Sequence, residues 1–422
     1  MIVFMYMHTL ALCRQIGKIG VLRTPLNARV VSMIQAEQEW LIAMLAVPAL
    51  SWVGFALLPW GPWHIREVLE AAPAGPNESL VQITAVIPAR NEAEVIQQTL
   101  RSVAAQGTDL KIILVDDGSD DCTAAVARQL ALSSLQIIQS APLPEGWSGK
   151  LWAVEQGWRQ VKTPYTLFLD ADIKLAPGSI RALKDRMQQQ SAAFVSLTAA
   201  PSMASAWEKL LMPAFVYFFK ALYPFDRVNS PDSKIAAAAG GCILVETRVL
   251  QKVGGFESLK SAVIDDCAFA RRVKSHGFKI WLGLTNAAQS IRGYEKLADI
   301  GNMVARSAFA QLRYSPALLL VCTLVLLLLY IAPVVMVASS SNAVIRCLSL
   351  ISLAIMILTY LPTLRFYHRS WAWALCLPPI AGFFIVMTWI SAIRYWRGER
   401  TRWKGRVYKR AAGVVLGERE VR

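Results

Sequence analysis

"YTLFLDADIKLAPGSI" (165–180) begins as a buried strand and then places two aspartates one residue apart. Tyr165 to Leu169 crowds apolar residues, and Asp170 and Asp172 follow where that strand should stop. Residues i and i+2 of an extended chain point to the same side, so both carboxylates face one spot. Like charges held that close need a positive partner. A hard divalent cation suits carboxylate oxygens and diphosphates alike, and the plain alternative is that both are simple turn residues.

Composition sets this stretch inside a membrane-anchored chain. Only 17% of the 422 residues are charged, against about 25% in ordinary soluble proteins. The deficit is local. Residues 40–60 carry no charge, and three further apolar windows follow at 316–338, 344–364 and 371–393. Each is about long enough to span a bilayer. Between them, 64–315 has globular composition and the length of one domain. Residues 1–39 show no signal-peptide pattern and read as a poorly ordered extension. The net charge of +15 concentrates at the end of the chain: 394–422 hold ten Lys/Arg against three Glu. A basic tail beside an apolar span suits a membrane surface, and no nucleic-acid motif accompanies it. The seven cysteines include no C-x-x-C pair, so neither a disulfide framework nor a zinc site follows.

Strand-like and helix-like stretches alternate from "VQITAVIP" (81–88) through "KIILVDDG" (111–118), "LQIIQS" (135–140) and "YTLFLDAD" (165–172). The helices are expected from Glu92, about Asp121, about Lys150 and Pro177. This βαβα order predicts a doubly wound α/β sheet, with ligands at the carboxyl ends of the strands. Ala89–Glu92, Asp116–Asp117 and Asp170–Asp172 all fall at those ends and should share one rim. In the second half, "WEKLLMPAFVYFFKAL" (207–222) has helical apolar spacing. It reads equally as a core helix and as one lying on a membrane.

Each acidic pair has a bland alternative. Asp116 and Asp117 precede Gly118 and Ser119, which also suits a capped turn. Asp265 and Asp266 fit a helix N-terminus as well as a general base. Together, however, "VIPARNE" (86–92), "LVDDGSDDCT" (114–123), "LDAD" (169–172) and "DDCAFARRVKSHG" (265–277) resemble family 2 glycosyltransferases of the GT-A type, in order and spacing. The resemblance implies inverting sugar transfer from a nucleotide-sugar donor, UDP-linked by preference, with Mg2+ or Mn2+. It implies donor-side roles for Pro88, Ala89, Arg90, Glu92, Asp116, Asp117, Lys150 and Asp170. It makes Asp170 and Asp172 the D-x-D metal pair and Asp266 the catalytic base beside Asp265. "PEGWSGKLWA" (144–153), "AAAGGCILVETRVLQKVGGF" (237–256) and "WKGRVY" (403–408) are similar to hopene-associated glycosyltransferases. That narrower likeness puts Gly240, Gly241 and Arg272 on the acceptor side and suggests a membrane lipid, such as a hopanoid, as acceptor. The exposed start of a helix for Lys150 and a tight strand entry for the glycines are the plain alternatives. Where processive synthases carry Q-x-x-R-W, this chain has "AQLRY" (310–314), which argues against polymer secretion.

The expected protein is therefore a GT-A domain with flanking transmembrane helices, multi-pass in the cytoplasmic membrane, its catalytic domain facing the cytoplasm. A full crossing by 371–393 would put the basic tail outside, against the positive-inside trend, so that segment is expected to be re-entrant or interfacial. Two other readings keep the same residues: a polyprenyl-phosphate glycosyltransferase and a non-catalytic nucleotide-binding scaffold. A dinucleotide oxidoreductase is unsupported, because no G-x-G-x-x-G follows the first strand.

Overall fold

The structure, a computed structural model, describes residues 44, 46–72 and 79–409. The expected N-terminal extension 1–39 lies outside the described residues, as do 410–422 of the basic tail. Helix α1 (Ala46–Leu57) comes first. The domain then runs β1 (Ile83–Ala89), α2 (Ile96–Ala104), β2 (Lys111–Asp116), α3 (Thr123–Arg128), β3 (Leu135–Gln139), α4 (Gly149–Trp158), β4 (Tyr165–Leu169), β5 (Ile173–Leu175), α5 (Ser179–Gln189) and β6 (Phe194–Ala200). Its second half holds α6 (Ala206–Leu222), α7 (Phe225–Asn229), β7 (Cys242–Glu246), α8 (Thr247–Val253), α9 (Asp265–Ser275), β8 (Ile280–Ser290), α10 (Leu297–Ala305) and α11 (Ala308–Gln311).

Eight strands form one sheet in the order β3-β2-β1-β4-β7-β6-β8-β5. The first four are parallel, as the βα alternation requires. β7 then runs antiparallel between β4 and β6, which makes the sheet mixed. Register aligns the rim. Ala89 of β1 faces Asp116 of β2, and Leu169 of β4 faces Cys242 of β7, so Gly241 lies beside Asp170. Both faces of the sheet are covered by buried aliphatic and aromatic residues, as expected of strands with near-continuous apolar runs.

Helix starts follow capping chemistry rather than the first polar residue. Asp121 accepts the Thr123 N–H at 2.9 Å and so stands outside α3. Pro177 does not open α5: Gly178 takes φ +85°, a left-handed conformation that suits glycine, and the helix begins at Ser179. α4 is capped by Ser148, whose hydroxyl accepts from Leu151 N–H at 3.3 Å. It lies so close on the sheet that a Cβ at Gly157 would meet Val86 Cγ1 at 2.5 Å and Val115 Cγ2 at 2.9 Å.

Three C-terminal helices are long and apolar enough to cross a membrane: α12 (Pro316–Ser339), α13 (Ala343–Phe366) and α14 (Trp371–Trp396). α6 resolves the open reading of 207–222 as packing. Leu211, Ala214 and Tyr217 are buried with Tyr360 of α13 and Leu377 and Ile380 of α14, and Tyr217 Oη lies 3.0 Å from Thr359 Oγ1. The aromatic density seen in sequence is the seam between domain and apolar helices. Only its ends, Trp207 and Leu222, remain exposed. After α14 the chain makes a hairpin, β9 (Glu399–Trp403) and β10 (Arg406–Lys409).

Gly157→Val should overpack the α4–sheet contact, since both facing valines are fully buried. A loss of about 2 kcal/mol is expected, read as a fall of roughly 4–8 °C in the unfolding midpoint in detergent. An unchanged midpoint would contradict the contact.

Candidate functional site

The aspartates at the end of β4 meet two different cations. Lys150 Nζ, in the first turn of α4, lies 2.7 Å from Asp170 Oδ1. Arg292, just past β8, lies 2.8 Å from Asp172 Oδ2 through Nε and also binds the Glu92 carboxylate through Nη2. Burial would depress the Lys150 ammonium, but the charges of Asp170 and Asp265 outweigh it and hold its pKa above the ordinary lysine value. Lys150 therefore stays charged, and the repulsion between the aspartates is answered from both sides.

The hairpin roofs the other end of the rim. Arg406 of β10 pairs with Asp117 Oδ2, and Lys404 in the turn reaches Glu92 Oε1 at 2.8 Å and the Asn91 carbonyl at 3.1 Å. Tyr408 Oη accepts the Gly149 N–H at 2.7 Å. A side chain at Gly149 would collide with Asp117, Arg406 and Trp403, so glycine is what lets the hairpin close. Arg90 joins the two parts, donating to the Gly118 carbonyl at 2.6 Å and, at 3.4 Å, to the Lys404 carbonyl. Burial raises Glu92 and Asp117 above the usual carboxylate range, and their Arg and Lys partners oppose that rise.

Asp266 approaches from the opposite side. It stands in the first turn of α9, and Oδ2 accepts the Gly240 N–H at 2.9 Å while Oδ1 accepts the Cys267 N–H at 2.7 Å. Behind it, Phe269 packs among Phe168, Phe194 and Phe256, fixing the helix to the sheet. Burial, and then the neighbouring Asp265 charge, push Asp266 up to about 6. Gly240 sits between the acids: a Cβ there would lie 3.4 Å from Asp266 Oδ2 and 3.5 Å from Lys150 Nζ. Asp170 N–H in turn donates to the Gly241 carbonyl at 3.1 Å. The glycine pair thus brings Asp266, Lys150 and Asp170 into one place.

A cavity of about 520 Å3 opens beside this cluster, lined by Pro88, Glu92, Lys150, Asp170, Asp172 and Arg292 on the sheet side, while Asp117, Asp266 and Gly240 stand outside its lining. Its far wall comes from α10, the end of α14 and the hairpin. Two of the anticipated residues serve the fold instead. Asp116 accepts from the Ser119 N–H at 3.1 Å and from the Ser119 hydroxyl, and so shapes the turn. Arg272 donates to the Val253 carbonyl at 2.6 Å, closing the end of α8, and does not line the cavity. Conversely, Arg292, Lys404, Arg406 and Tyr408 were not anticipated as site residues. "WKGRVY" marked the segment, but nothing in sequence ties it to Asp117, 289 positions earlier.

Asp170 Oδ2 and Asp172 Oδ1 form no ion pair among the described residues, and no group of three or more metal-ligating side chains gathers there or elsewhere among them. A donor set of two carboxylates fits Mg2+ or Mn2+ that arrives with a diphosphate supplying the remaining oxygens, better than an ion caged by protein alone.

Comparison with known proteins bears on the fold that carries these residues. Residues 84–254 match glycosyl transferase family 2, a stretch that includes β1 to β7 but not Asp266 or the hairpin. A 4,4'-diaponeurosporenoate glycosyltransferase of Staphylococcus aureus (strain bovine RF122 / ET3-1) is 32% identical over 155 residues, 36% of this chain and 39% of the relative. That of strain MRSA252 is 36% identical over 110 residues, 26% of this chain and 28% of the relative. The matches therefore span well under half the length of these relatives. Among solved structures, the mannosyltransferase PcManGT from Pyrobaculum calidifontis, in complex with GDP-Man and Mn2+, superposes with TM-score 0.52 at 15% identity, covering 84% of this chain and 99% of that one. The fold is thus the GT-A-like mixed α/β sheet, and within it residues 84–254 are similar to glycosyl transferase family 2.

Proposed function

We propose that the protein is a membrane-bound glycosyltransferase that moves a sugar, with inversion, from a nucleotide-sugar donor to a lipid acceptor. The observation that carries this reading is the convergence of the Asp170–Asp172 pair, Lys150 and Asp266 around Gly240 and Gly241. In the proposed reaction the acceptor oxygen attacks the anomeric carbon as the bond to the diphosphate breaks. Asp266 takes the proton of a hydroxyl acceptor, a step that an acceptor already ionised as a carboxylate or phosphate does not need, and Lys150 offsets charge on the leaving diphosphate. When bound, a divalent cation held by Asp170 and Asp172 would neutralise further diphosphate charge. The nucleoside is placed at the Asp117 and Glu92 end, where its entry requires Arg406 to release Asp117.

A lipid acceptor is supported by the apolar helices against the domain and by relatives named for a carotenoid acid. A hopanoid shares the bulky isoprenoid hydrocarbon and remains the candidate from the sequence blocks; the relatives favour an isoprenoid acid.

The topology follows from where α14 starts and ends. Tyr367, just before it, is buried with domain residues such as Val216 and Phe225, and the hairpin just after it binds Asp117. Both ends are on the domain side. α12 and α13 then cross as a hairpin, α14 lies along the interface, and the tail shares the domain's compartment. This removes the conflict with the positive-inside trend.

Asp266 must be ionised to act, and its raised pKa means that the active form is lost as pH falls through about 6. Sugar transfer by the purified protein should therefore rise with unit slope below about pH 6 and level off above it. Asp266→Asn should cost about 10²–10⁴-fold in rate with donor binding kept; a loss under tenfold would refute the base. For topology, Val407→Cys should resist an impermeant maleimide in intact cells while Ser341→Cys, in the α12–α13 turn, is labelled. Labelling at 407 in intact cells would overturn the arrangement.

A further inference from the structure

We infer that Arg306, Arg394 and Arg400 form a binding site for an oxyanion, a carboxylate or a phosphate, on the lipid acceptor. The inference rests on the lipid-acceptor reading above and narrows its substrate class.

The charges on the cavity wall are unevenly matched. Four cations there already have carboxylate partners. Lys150 pairs with Asp170, Arg292 with Asp172 and Glu92, Lys404 with Glu92, and Arg402 with Glu399 at 2.6 Å. Of the remaining acids, Asp299 caps its own helix, accepting the Lys296 N–H at 3.3 Å. Arg306, Arg394 and Arg400 line the same cavity, and none has a carboxylate within 4 Å among the described residues. Arg394 Nη2 donates to the neutral Asn302 Oδ1 at 2.6 Å. Arg306 is exposed to solvent, and the three cations without acids give this part of the cavity wall a positive excess that favours an anion.

Position separates this anion from the donor's diphosphate. Lys150 and the Asp170–Asp172 pair stand on the sheet wall, whereas the three arginines come from the end of α10, the last turn of α14 and the start of β9. These elements are tied together: Thr401 Oγ1 lies 3.4 Å from the Arg306 carbonyl, and Ser391 Oγ donates to the Ala305 carbonyl at 2.6 Å. α14 presents Val386, Ile390 and Ile393 outward, at helical spacing, as an exposed apolar stripe. Arg394 directly follows that stripe in sequence, so a guanidinium that lines the cavity stands next to the apolar surface. A lipid lying along α14 brings its polar end to the three arginines, in the same cavity that Lys150, Asp170 and Asp172 line.

The test uses one isoprenoid chain with three head groups: farnesoic acid, farnesyl phosphate and farnesol. Each is titrated calorimetrically into the full chain in nanodiscs of neutral lipid, and UDP and GDP serve as donor-site probes. The acid or the phosphate should bind at least tenfold more tightly than farnesol, and whichever binds better identifies the source of the oxyanion. Arg306→Gln and Arg394→Gln should each weaken that probe by about 10- to 100-fold, as expected for lost charged hydrogen bonds. Arg306→Lys should retain part of the preference, and nucleotide affinity should stay within twofold. Equal binding of all three probes, binding of none, or variants that weaken the nucleotide alone would each overturn the site. Because no turnover is required, a failure of sugar transfer is read separately from a failure of this site.

Discussion

Two carboxylates held close together at the end of a buried strand are unstable without cations, and much of this structure supplies them. Asp170 and Asp172 leave β4 within two residues. At an effective dielectric of about 20, unit charges about 4 Å apart interact by about 4 kcal/mol, enough to demand compensation. Lys150 enters from α4 and Arg292 from beyond β8, elements that meet only because β4 is central and β7 turns the sheet from parallel to antiparallel beside it. Arg292 extends the network to Glu92, and Lys404 carries it into the C-terminal hairpin. The charge pattern thereby links the end of the first strand of the domain to the C-terminal hairpin.

That hairpin has consequences beyond the cavity it roofs. It returns the chain from α14 to the rim of the sheet, so the apolar helix before it starts and finishes beside the domain. Hydropathy alone cannot separate a crossing helix from one lying in the interface, since both expose apolar side chains to lipid. The contacts of Tyr367 and Arg406 support the proposed interfacial arrangement. The same return places basic residues against acids that a nucleotide is proposed to use, which couples donor entry to movement of Arg406.

The sheet and its rim were legible because strand periodicity and turn chemistry are local. The βα alternation, the position of Asp170 and Asp172, the glycine pair and the start of α9 at Asp265 all follow from short windows. Residues 207–222 were ambiguous for a physical reason: an apolar surface packed on protein and one packed on lipid have the same composition. Asp116 and Arg272 read as site residues because motif position does not reveal hydrogen-bond partners; the Ser119 N–H and the Val253 carbonyl claim them. Arg292 and the hairpin cations stayed hidden because their partners lie hundreds of residues away, with no periodicity to announce the contact.

The central claim is that this rim transfers sugar from a nucleotide to a lipid. The most direct measurement incubates the purified chain in nanodiscs of isoprenoid-containing lipid extract with a panel of tritiated nucleotide sugars and follows label into the organic phase. The account predicts that one donor labels a lipid and that Asp170→Asn abolishes the label while the protein stays folded. Label released only as free sugar, or organic-phase label undiminished by Asp170→Asn, would contradict it.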